Sequence, residues 1–274
     1  MNRAMLVTGG TEGTGLGIAE RFSKEGYDII ITSRNYDRAQ NAASYLSEKY
    51  GVYVKGYALK AGDEPAIIEM FSDIDSCGIF VETIVLNATN QGAGKDPAIG
   101  MDFFETPMED VKDVYMTNLV WNYMLVRHAA IRMRNNHKGS IVLLSSVTAN
   151  RAIPNRSAYS SSKGGIIALS KALAVDLGPY GIRCNVVLPG LIKTERWKKM
   201  GERQKIKEQM SPLERLVDYE DVANAVWYLG SDESKAVTGA EIAVDGGMSC
   251  QWYPDGYISA LKGKLEQKGK QNDK

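Results

Sequence analysis

Cysteine, histidine and long apolar runs are scarce in this chain of 274 residues. The three cysteines, Cys77, Cys184 and Cys250, are scattered and odd in number. They predict neither a disulfide framework nor a metal site, and they fit a reducing compartment. No apolar run approaches the about 18 residues that a membrane-spanning helix needs, and the first residues lack a charged-then-apolar signal segment. We therefore expect a cytoplasmic protein with no membrane partner.

An excess of one charge is also lacking, since 33 basic residues balance 33 acidic ones. This balance gives no indication of nucleic-acid binding. The hydrophobic share of 44% can supply a sizeable core, and the length favours one large α/β domain over two small ones. We expect residues 1–250 to form that domain. Residues 251–274 read as a C-terminal extension whose polar end is disordered.

Short strand-like runs alternate with helical patterns along the chain. The predicted strands are Met5–Thr8, Asp28–Ser33, Val52–Leu59, Val81–Asn87, Ser140–Ser145, Arg183–Leu188 and Glu241–Val244. The predicted helices are Leu16–Glu25, Arg38–Tyr50, Glu64–Ile74, Met108–Asn135, Tyr159–Leu177 and Tyr219–Gly230. Several strands are almost wholly apolar, as buried parallel strands are. The alternation predicts an α/β fold, a doubly wound parallel sheet of about seven strands with helices on both faces. Ligands of such sheets bind at the carboxyl ends of the strands.

A glycine-rich turn joins the first strand to the first helix, with Gly9, Gly13 and Gly15 as its fixed points. Glycines permit a tight turn and let the backbone approach a pyrophosphate closely. The following helix presents free amides and a positive dipole end to that anion. The spacing differs from G-x-G-x-x-G, and no P-loop Gly-Lys-Ser/Thr follows. The turn predicts a dinucleotide site; the alternative is a turn that only packs helix on strand.

Tyr159 and Lys163 stand four residues apart at the start of a predicted helix. This spacing puts both side chains on one helix face. A nearby ammonium lowers the pKa of a phenol, so the pair can serve as a proton-transfer catalyst at neutral pH. Tyr and Lys fall at this spacing by chance in many helices, and the glycine turn is what makes the pair informative.

In order along the chain, these motifs resemble the short-chain dehydrogenase/reductase family. The resemblance spans about residues 5–247 and rests on Thr8–Gly15, Asn87-Ala88, Asn118, Ser146, Tyr159 with Lys163, Pro189-Gly190 with Thr194, and Asp245-Gly246-Gly247. It implies a single Rossmann-type domain, usually in homotetramers or dimers, and reversible hydride transfer between a nicotinamide and a secondary alcohol or ketone. Within the family the chain looks similar to bacterial hydroxysteroid and gluconate-type polyol dehydrogenases.

The resemblance also implies the catalytic residues. Ser146 orients and polarises the substrate carbonyl, and Tyr159 is the general acid and base. Lys163 lowers the Tyr159 pKa and bonds the nicotinamide ribose. Asn118 distorts its helix and holds a water that links the lysine to solvent. Both Tyr159 and Lys163 therefore belong to the catalytic and the cofactor-binding sets.

The second predicted strand indicates which nicotinamide is used. It ends Thr32-Ser33-Arg34-Asn35 with no carboxylate for a ribose 2′-hydroxyl, whereas a guanidinium beside a hydroxyl suits a 2′-phosphate. We predict NADP(H) rather than NAD(H), although Glu12 stands where many NADP enzymes of the family carry a basic residue. The predicted cofactor contacts are Gly9, Thr11, Glu12, Gly13, Thr14, Gly15, Ser33, Arg34, Asn35, Lys60, Ala61, Asn87, Ala88, Tyr159, Lys163, Pro189, Gly190, Ile192 and Thr194.

Two regions bear on the substrate. The segment Asn90–Phe103 looks longer than the usual family connection and should border the cleft. The expected substrate lid, about residues 190–215, includes Lys193–Gln209 with seven basic and three acidic residues, and Arg151 and Arg156 precede Tyr159. These charges predict an anionic substrate or, alternatively, only a solvated lid face. The open substrate alternatives are a hydroxysteroid or bile acid, a sugar acid or polyol, and a 3-oxoacyl-carrier-protein. The different-class alternative is a non-catalytic NADP-sensing protein.

Overall fold

The computed structural model describes residues 3–92, 100–193, 208 and 210–251. In this part of the chain seven strands form one parallel sheet in the order β3-β2-β1-β4-β5-β6-β7. Their bounds are β1 (Arg3–Thr8), β2 (Asp28–Ser33), β3 (Val54–Ala58), β4 (Phe80–Leu86), β5 (Gly139–Leu144), β6 (Ile182–Pro189) and β7 (Glu241–Val244). The predicted doubly wound sheet is confirmed. The order reverses between β1 and β4, which places the ligand crevice of such sheets there.

Helices cover both faces of the sheet. They are α1 (Gly13–Lys24), α2 (Tyr36–Tyr50), α3 (Glu64–Ser76), α4 (Met108–Tyr115), α5 (Trp121–Asn135), α6 (Ser157–Leu177) and α7 (Tyr219–Gly230). Local sequence sets several of their starts. Asn35 caps α2 by accepting the Arg38 amide at 2.9 Å, and Asp63 caps α3 by accepting the Ala66 amide at 3.1 Å. Asp218 and Asp221 form a capping box at the start of α7.

Two hydrophobic cores lie on opposite faces of the sheet, one under α3, α5 and α6 and the other under α1, α2 and α7. The continuous apolar run of strand β2 is explained by burial on both faces of the sheet. Ile30 belongs to the first core, whereas Ile29 and Ile31 belong to the second, and all three are fully buried. Successive strand side chains point to opposite faces, so both faces need apolar residues. Burying each such side chain stabilises the fold by about 2 kcal/mol.

The predicted helix Met108–Asn135 is interrupted in the structure. After α4 the chain makes a π-helical turn, Met116–Val120, before α5 begins at Trp121. Asn118 lies inside this turn and is fully buried. The continuous helix predicted from periodicity is thus divided, and the distortion expected at Asn118 takes the form of a π-helical turn.

No helix among the described residues is long and apolar enough to cross a membrane. Residues 252–274, which include nearly all of the predicted C-terminal extension, lie outside the described part of the chain.

Candidate active site

The turn after β1 is built so that backbone, not side chains, faces the crevice. Gly9 and Gly13 have positive φ values of 63° and 55°, a region that favours glycine. A Cβ on Gly15 would lie 2.1 Å from the Gly9 carbonyl oxygen and 2.6 Å from Asn87 Nδ2. The three fixed glycines of the motif are thus required by conformation or by close approach. The amides at the start of α1 remain available to an anion.

Asn87 joins the ends of β1 and β4. Its Nδ2 donates to the carbonyl oxygens of Thr8, at 3.0 Å, and Gly9, at 3.2 Å. The Thr8 hydroxyl in turn accepts the amides of Asn87 and Ala88, both at 3.0 Å. These four bonds hold the glycine turn against the segment after β4. Two neighbouring walls of the crevice are therefore fixed relative to each other.

A cleft of about 870 Å³ opens at this edge of the sheet. Eleven predicted cofactor contacts line it, namely Gly9, Thr11, Glu12, Thr14, Gly15, Ser33, Arg34, Asn35, Ala61, Asn87 and Ala88. Gly13 and Lys60 are not in its lining, and the Lys60 side chain is exposed. The cleft brings the glycine turn and the end of β2 together, as a dinucleotide's pyrophosphate and adenosine ribose require.

Sequence reasoning missed several lining residues, among them Thr32, Arg38, Leu59, Thr89, Gln91, Thr117 and Trp121. Arg38 matters most for the choice of cofactor, because it adds a second guanidinium to the lining that contains Arg34. Its Nη1 lies 3.8 Å from Oε1 of Glu12, so the acidic residue of the glycine turn is paired. The signal was present in the sequence, since Arg38 lies in the first turn of α2, four residues after Arg34.

Ser146 and Tyr159 influence each other at the carboxyl edge of the sheet. Ser146 follows β5 and is 9% exposed. Burial raises the pKa of Tyr159, and the Ser146 hydroxyl and the positive charge of Arg156 offset part of that rise. A serine hydroxyl that acts on the tyrosine in this direction is compatible with a proton-transfer pair.

Lys163 lies deeper than the sequence indicated. Its Nζ donates to the Leu144 carbonyl oxygen at 2.7 Å and lies 5.7 Å from the centre of the Tyr159 ring. Burial lowers the pKa of Lys163 to about 7. The expectation that Lys163 lowers the Tyr159 pKa stays a prediction. The Lys163 amine faces a carbonyl of β5, and its burial disfavours the charged form.

Asn118 organises the segment after β4. Its Oδ1 accepts the Asn90 amide at 2.7 Å and the Thr89 hydroxyl at 3.2 Å. Its Nδ2 donates to the Asn90 carbonyl at 2.9 Å and to the Ser162 hydroxyl at 3.0 Å. Thr89 is thereby part of the same network. Ser162 precedes Lys163, so Asn118 links the loop after β4 to the helix that carries Tyr159 and Lys163.

Comparison with known proteins agrees with this geometry. A family model described as enoyl-(acyl carrier protein) reductase matches residues 9–249. 3-Oxoacyl-(acyl-carrier-protein) reductase FabG of Aquifex aeolicus is 33% identical over 248 residues, covering 90% of this chain and 97% of the relative. The chain belongs to the short-chain dehydrogenase/reductase family. It is therefore an oxidoreductase of the class that acts on alcohols and ketones.

Two further relatives of this short-chain dehydrogenase/reductase bear on its cofactor. NADP-dependent (R)-specific alcohol dehydrogenase of Lentilactobacillus kefiri is 33% identical over 255 residues, covering 91% of this chain and 97% of the relative. The solved structure of ElxO with NADP bound matches with a TM-score of 0.83 and 28% identity, covering 92% of this chain and 100% of that one.

In this short-chain dehydrogenase/reductase, the segment after β6 lies at the same carboxyl edge of the sheet. Gly190 donates its amide to the Val244 carbonyl at 2.9 Å, and a Cβ there would lie 2.7 Å from Cβ of Asp245. Ile192 forms an isolated bridge with Val217. The main cleft lining includes none of the described predicted contacts Pro189, Gly190, Ile192, Tyr159 and Lys163. The predicted contact Thr194 and most of the lid, residues 194–207 and 209, lie outside the described residues.

The two arginines before Tyr159 differ in their surroundings. Arg151 is exposed and donates to the Gln251 carbonyl at 2.6 Å. Arg156 is only 6% exposed and donates to the Gln91 carbonyl at 2.7 Å. The sequence analysis counts both among the positive charges that predict an anionic substrate. Burial and this backbone bond make Arg156 part of the framework instead.

Proposed function

We propose that this protein is an NADP(H)-dependent oxidoreductase that interconverts a secondary alcohol and a ketone, with Tyr159 as general acid and base. The observation that carries the proposal is the glycine-lined cleft at the carboxyl edge of the sheet, the edge where Ser146 follows β5 and lowers the pKa of Tyr159. A proton-transfer group and a carbonyl-polarising hydroxyl on the same edge support this chemistry.

Each residue has a role that its contacts support. In reduction Tyr159 donates its proton to the forming alkoxide, and in oxidation it removes the proton of the alcohol. Ser146 orients the substrate oxygen and polarises the carbonyl. Lys163 lies behind the tyrosine and exchanges a proton near neutral pH, since its pKa is about 7. Asn118 holds the loop after β4 against α6.

The residues of the cleft fit a nicotinamide dinucleotide phosphate. Gly15 has no room for a Cβ and Gly9 has a positive φ, so glycines occupy this turn and a pyrophosphate can approach the backbone closely. Arg34 and Arg38, with Ser33, offer charge and hydrogen bonds to a 2′-phosphate at the end of β2. The NADP-dependent alcohol dehydrogenase and the NADP-bound ElxO support NADP(H), whereas other solved neighbours hold NAD. The choice between the two therefore depends on the arginines. When bound, the nicotinamide supplies or accepts the hydride.

The substrate proposal begins with the loop after β4. In its described part, Phe103 and Phe104 are 68% and 92% exposed. Gly100 packs against Asn155, which places the start of this part beside the segment that precedes Tyr159. Exposed apolar rings on this loop support a bulky secondary alcohol such as a hydroxysteroid over a small polyol or sugar acid. A 3-oxoacyl-carrier-protein is the second candidate, supported by the 33% identity to FabG.

We also propose that the protein works as a homotetramer or dimer in the cytoplasm. The helices α5 and α6 expose apolar side chains, with Tyr123 54%, Ile131 44% and Val175 76% exposed. Exposed apolar surface of this kind supports association with a second copy. All three cysteines are free, which supports a reducing compartment. Light scattering of the purified protein would give the oligomeric state.

The substitution Tyr159→Phe tests the proposed function. The variant should still bind NADPH, because only one hydroxyl is removed, and should lose nearly all turnover. Substrates are found by following reduced-cofactor absorbance with NADP and a panel of bile acids, sugar acids and polyols, and with NADPH and acetoacetyl thioesters. Binding of NADPH without turnover of any member in the wild type would instead favour the sensing protein. A higher kcat/KM with NAD than with NADP would contradict the cofactor.

A further inference from the structure

Two buried polar side chains in the lining of the main cleft lack a hydrogen-bond partner. Trp121 is 4% exposed and Thr32 is 1% exposed, and both line the cleft. Neither the indole Nε1 of Trp121 nor the Oγ1 of Thr32 has a partner among the described residues. Unpaired buried polar groups are rare because they destabilise a fold, and a buried indole N–H usually has an acceptor. The two atoms therefore indicate a ligand in the cleft.

Both side chains lie on one side of the sheet. Trp121 belongs to the core under α3, α5 and α6. Thr32 stands two residues after Ile30, which belongs to the same core, and side chains two apart on a strand point to the same face. Leu59, which follows β3, is a buried member of this core, and Ala61 packs against it; both also line the cleft. We call Thr32, Leu59, Ala61 and Trp121 the inner compartment of the cleft.

The π-helical turn sets the position of Trp121. The Trp121 amide donates to the carbonyl of Met116, five residues back, where a regular α-helix would use the residue four back. A Cβ on Gly62 would lie 3.4 Å from Met116 Sδ, so the loop after β3 packs against this turn. The two elements that supply Ala61 and Trp121 to the inner compartment are therefore in contact.

The inner compartment differs in chemistry from the end of β2. Arg34 and Arg38 line the cleft there and offer charge to a phosphate. The inner compartment instead has two apolar side chains, a hydroxyl and an indole. An indole N–H only donates, whereas a hydroxyl donates and accepts. Such a set suits a flat, uncharged heterocycle with ring-nitrogen acceptors and an amine, and adenine has both.

We propose that Trp121 and Thr32 bind the adenine base of the cofactor, with the Trp121 N–H as donor to a ring nitrogen. The inference rests on the proposed dinucleotide cofactor and names two binding residues that the sequence analysis did not foresee. It gives both unpaired atoms a partner when the nucleotide is bound. It also places the base where Leu59 and Ala61 offer apolar contact.

The test measures binding of the adenosine half alone, with neither substrate nor nicotinamide. The probe is adenosine 2′,5′-bisphosphate, and the comparison ligand is reduced nicotinamide mononucleotide, which lacks adenine. Trp121→Phe removes the N–H and keeps an aromatic ring. Trp227→Phe is the matched control, because Trp227 of α7 lies outside the main cleft lining and its Nε1 already donates to Glu233 Oε1 at 3.1 Å.

Trp121→Phe should weaken binding of the bisphosphate about fivefold, as expected for one lost hydrogen bond, and leave the mononucleotide within about twofold. Trp227→Phe should change neither affinity. In nitrogen-15 spectra of the wild type, the indole resonance missing from Trp121→Phe identifies Trp121, and the bisphosphate should move its N–H proton downfield. An unchanged bisphosphate affinity, equal weakening of both ligands, or an unmoved Trp121 resonance would overturn the role of Trp121.

Thr32→Val is the second variant, and it takes the place of Trp121→Phe if circular dichroism shows that the latter does not fold. Valine keeps the shape of threonine without its hydroxyl, so bisphosphate binding should again weaken about fivefold. Because the Thr32 hydroxyl is unpaired within the described chain, its loss should leave the urea midpoint unchanged or raise it. Thr83→Val is the control: Thr83 Oγ1 donates to the Gly230 carbonyl at 2.8 Å, so its loss should lower the midpoint. Unchanged nucleotide affinity in Thr32→Val, or a fall in its midpoint like that of Thr83→Val, would contradict the assignment of Thr32.

These measurements separate the inference from the proposed function. A wild type that turns over no substrate would contradict the proposed function alone, since nucleotide binding is measured without turnover. A wild type that binds adenosine 5′-monophosphate more tightly than the bisphosphate would contradict only the choice of NADP(H). The loss in Trp121→Phe should be the same with either nucleotide, because both carry the adenine base.

Discussion

Asn118 and Asn90 are joined by two hydrogen bonds that run in opposite directions. The Asn90 amide donates to Asn118 Oδ1 at 2.7 Å, and Asn118 Nδ2 donates to the Asn90 carbonyl at 2.9 Å. A side-chain amide thus pairs with the backbone of Asn90 as a neighbouring strand would. The loop that follows β4 is held at the crevice although it has left the sheet.

Replacing Asn118 with Leu should therefore destabilise the protein by about 3 kcal/mol. The Asn90 backbone groups and the Ser162 hydroxyl would lose their partner inside a buried network. Urea unfolding at constant pH measures the change. Asn136→Leu is the control, because Asn136 is exposed and its side chain donates to the Arg132 carbonyl of its own helix end. Equal losses in the two variants would contradict the proposed network.

Gly15→Ala should both weaken NADPH binding by at least about tenfold and cost about 2 kcal/mol of stability. The new Cβ would overlap the Gly9 carbonyl oxygen and Asn87 Nδ2, so the turn that approaches the pyrophosphate must shift. Gly178→Ala is the matched control. Gly178 has φ of −53°, and a Cβ there meets nothing within 4 Å. Titration calorimetry and urea unfolding measure the two effects, and an unchanged affinity in Gly15→Ala would refute this reading of the turn.

Much of the fold was predictable because its signals are local. The run Ile29–Ile31 predicts a strand buried on both faces, and the structure divides these residues between two cores. The spacing of Gly9, Gly13 and Gly15 predicts the turn after β1, since two of them need positive φ and the third has no room for a Cβ. Such constraints act within a few residues and are therefore visible in sequence.

The chemistry of the site was less predictable because it depends on distant partners. Nothing near Lys163 in the sequence indicates that its ammonium bonds Leu144 or that burial lowers its pKa to about 7. The environment of Arg156 is set by Gln91, which is 65 residues away. The side chain of Asn118, in the π-helical turn, likewise bonds distant residues, Asn90 and Ser162. Residue types could be assigned to the site, but their protonation and contacts required the fold.

The pair of Glu12 and Arg38 should tune the cofactor preference. Glu12→Gln removes a negative charge 3.8 Å from a guanidinium that lines the cleft. The variant should bind NADPH up to about fivefold more tightly, since exposed ion pairs are worth up to about 1 kcal/mol. NADH affinity should stay unchanged. Fluorescence titration with both cofactors measures the ratio, and the gain should shrink in high salt.

Arg38→Ala is the converse experiment. Loss of one guanidinium should weaken NADPH binding about tenfold and leave NADH binding within about twofold. Arg34→Ala should behave in the same way, because both arginines line the same end of the cleft. Arg134→Ala, far along α5, is the control. If both cofactors weaken equally in Arg38→Ala, the arginine supports the fold of α2 and does not read the 2′-phosphate.

Lys163 should make the stability of the cofactor-free protein depend on pH. In the folded state the pKa of Lys163 is lowered from 10.5 to about 7 by burial. Between these values the unfolded chain holds a proton that the folded protein has released, so the stability of the wild type should rise with pH there. Below about pH 7 Lys163 is protonated in both the folded and the unfolded state, and the full cost of burying its charge lowers the stability of the folded protein.

Lys163→Met removes this titration and keeps a side chain of similar length. From pH 7 to 9 the wild type should gain about 2 kcal/mol relative to the variant, with urea unfolding measured at each pH. Effects of other groups, such as the raised pKa of Tyr159, are present in both proteins and cancel in the difference. Parallel stability curves over this window would mean that Lys163 keeps its proton in the folded state. The amine would then be an ammonium throughout this pH range.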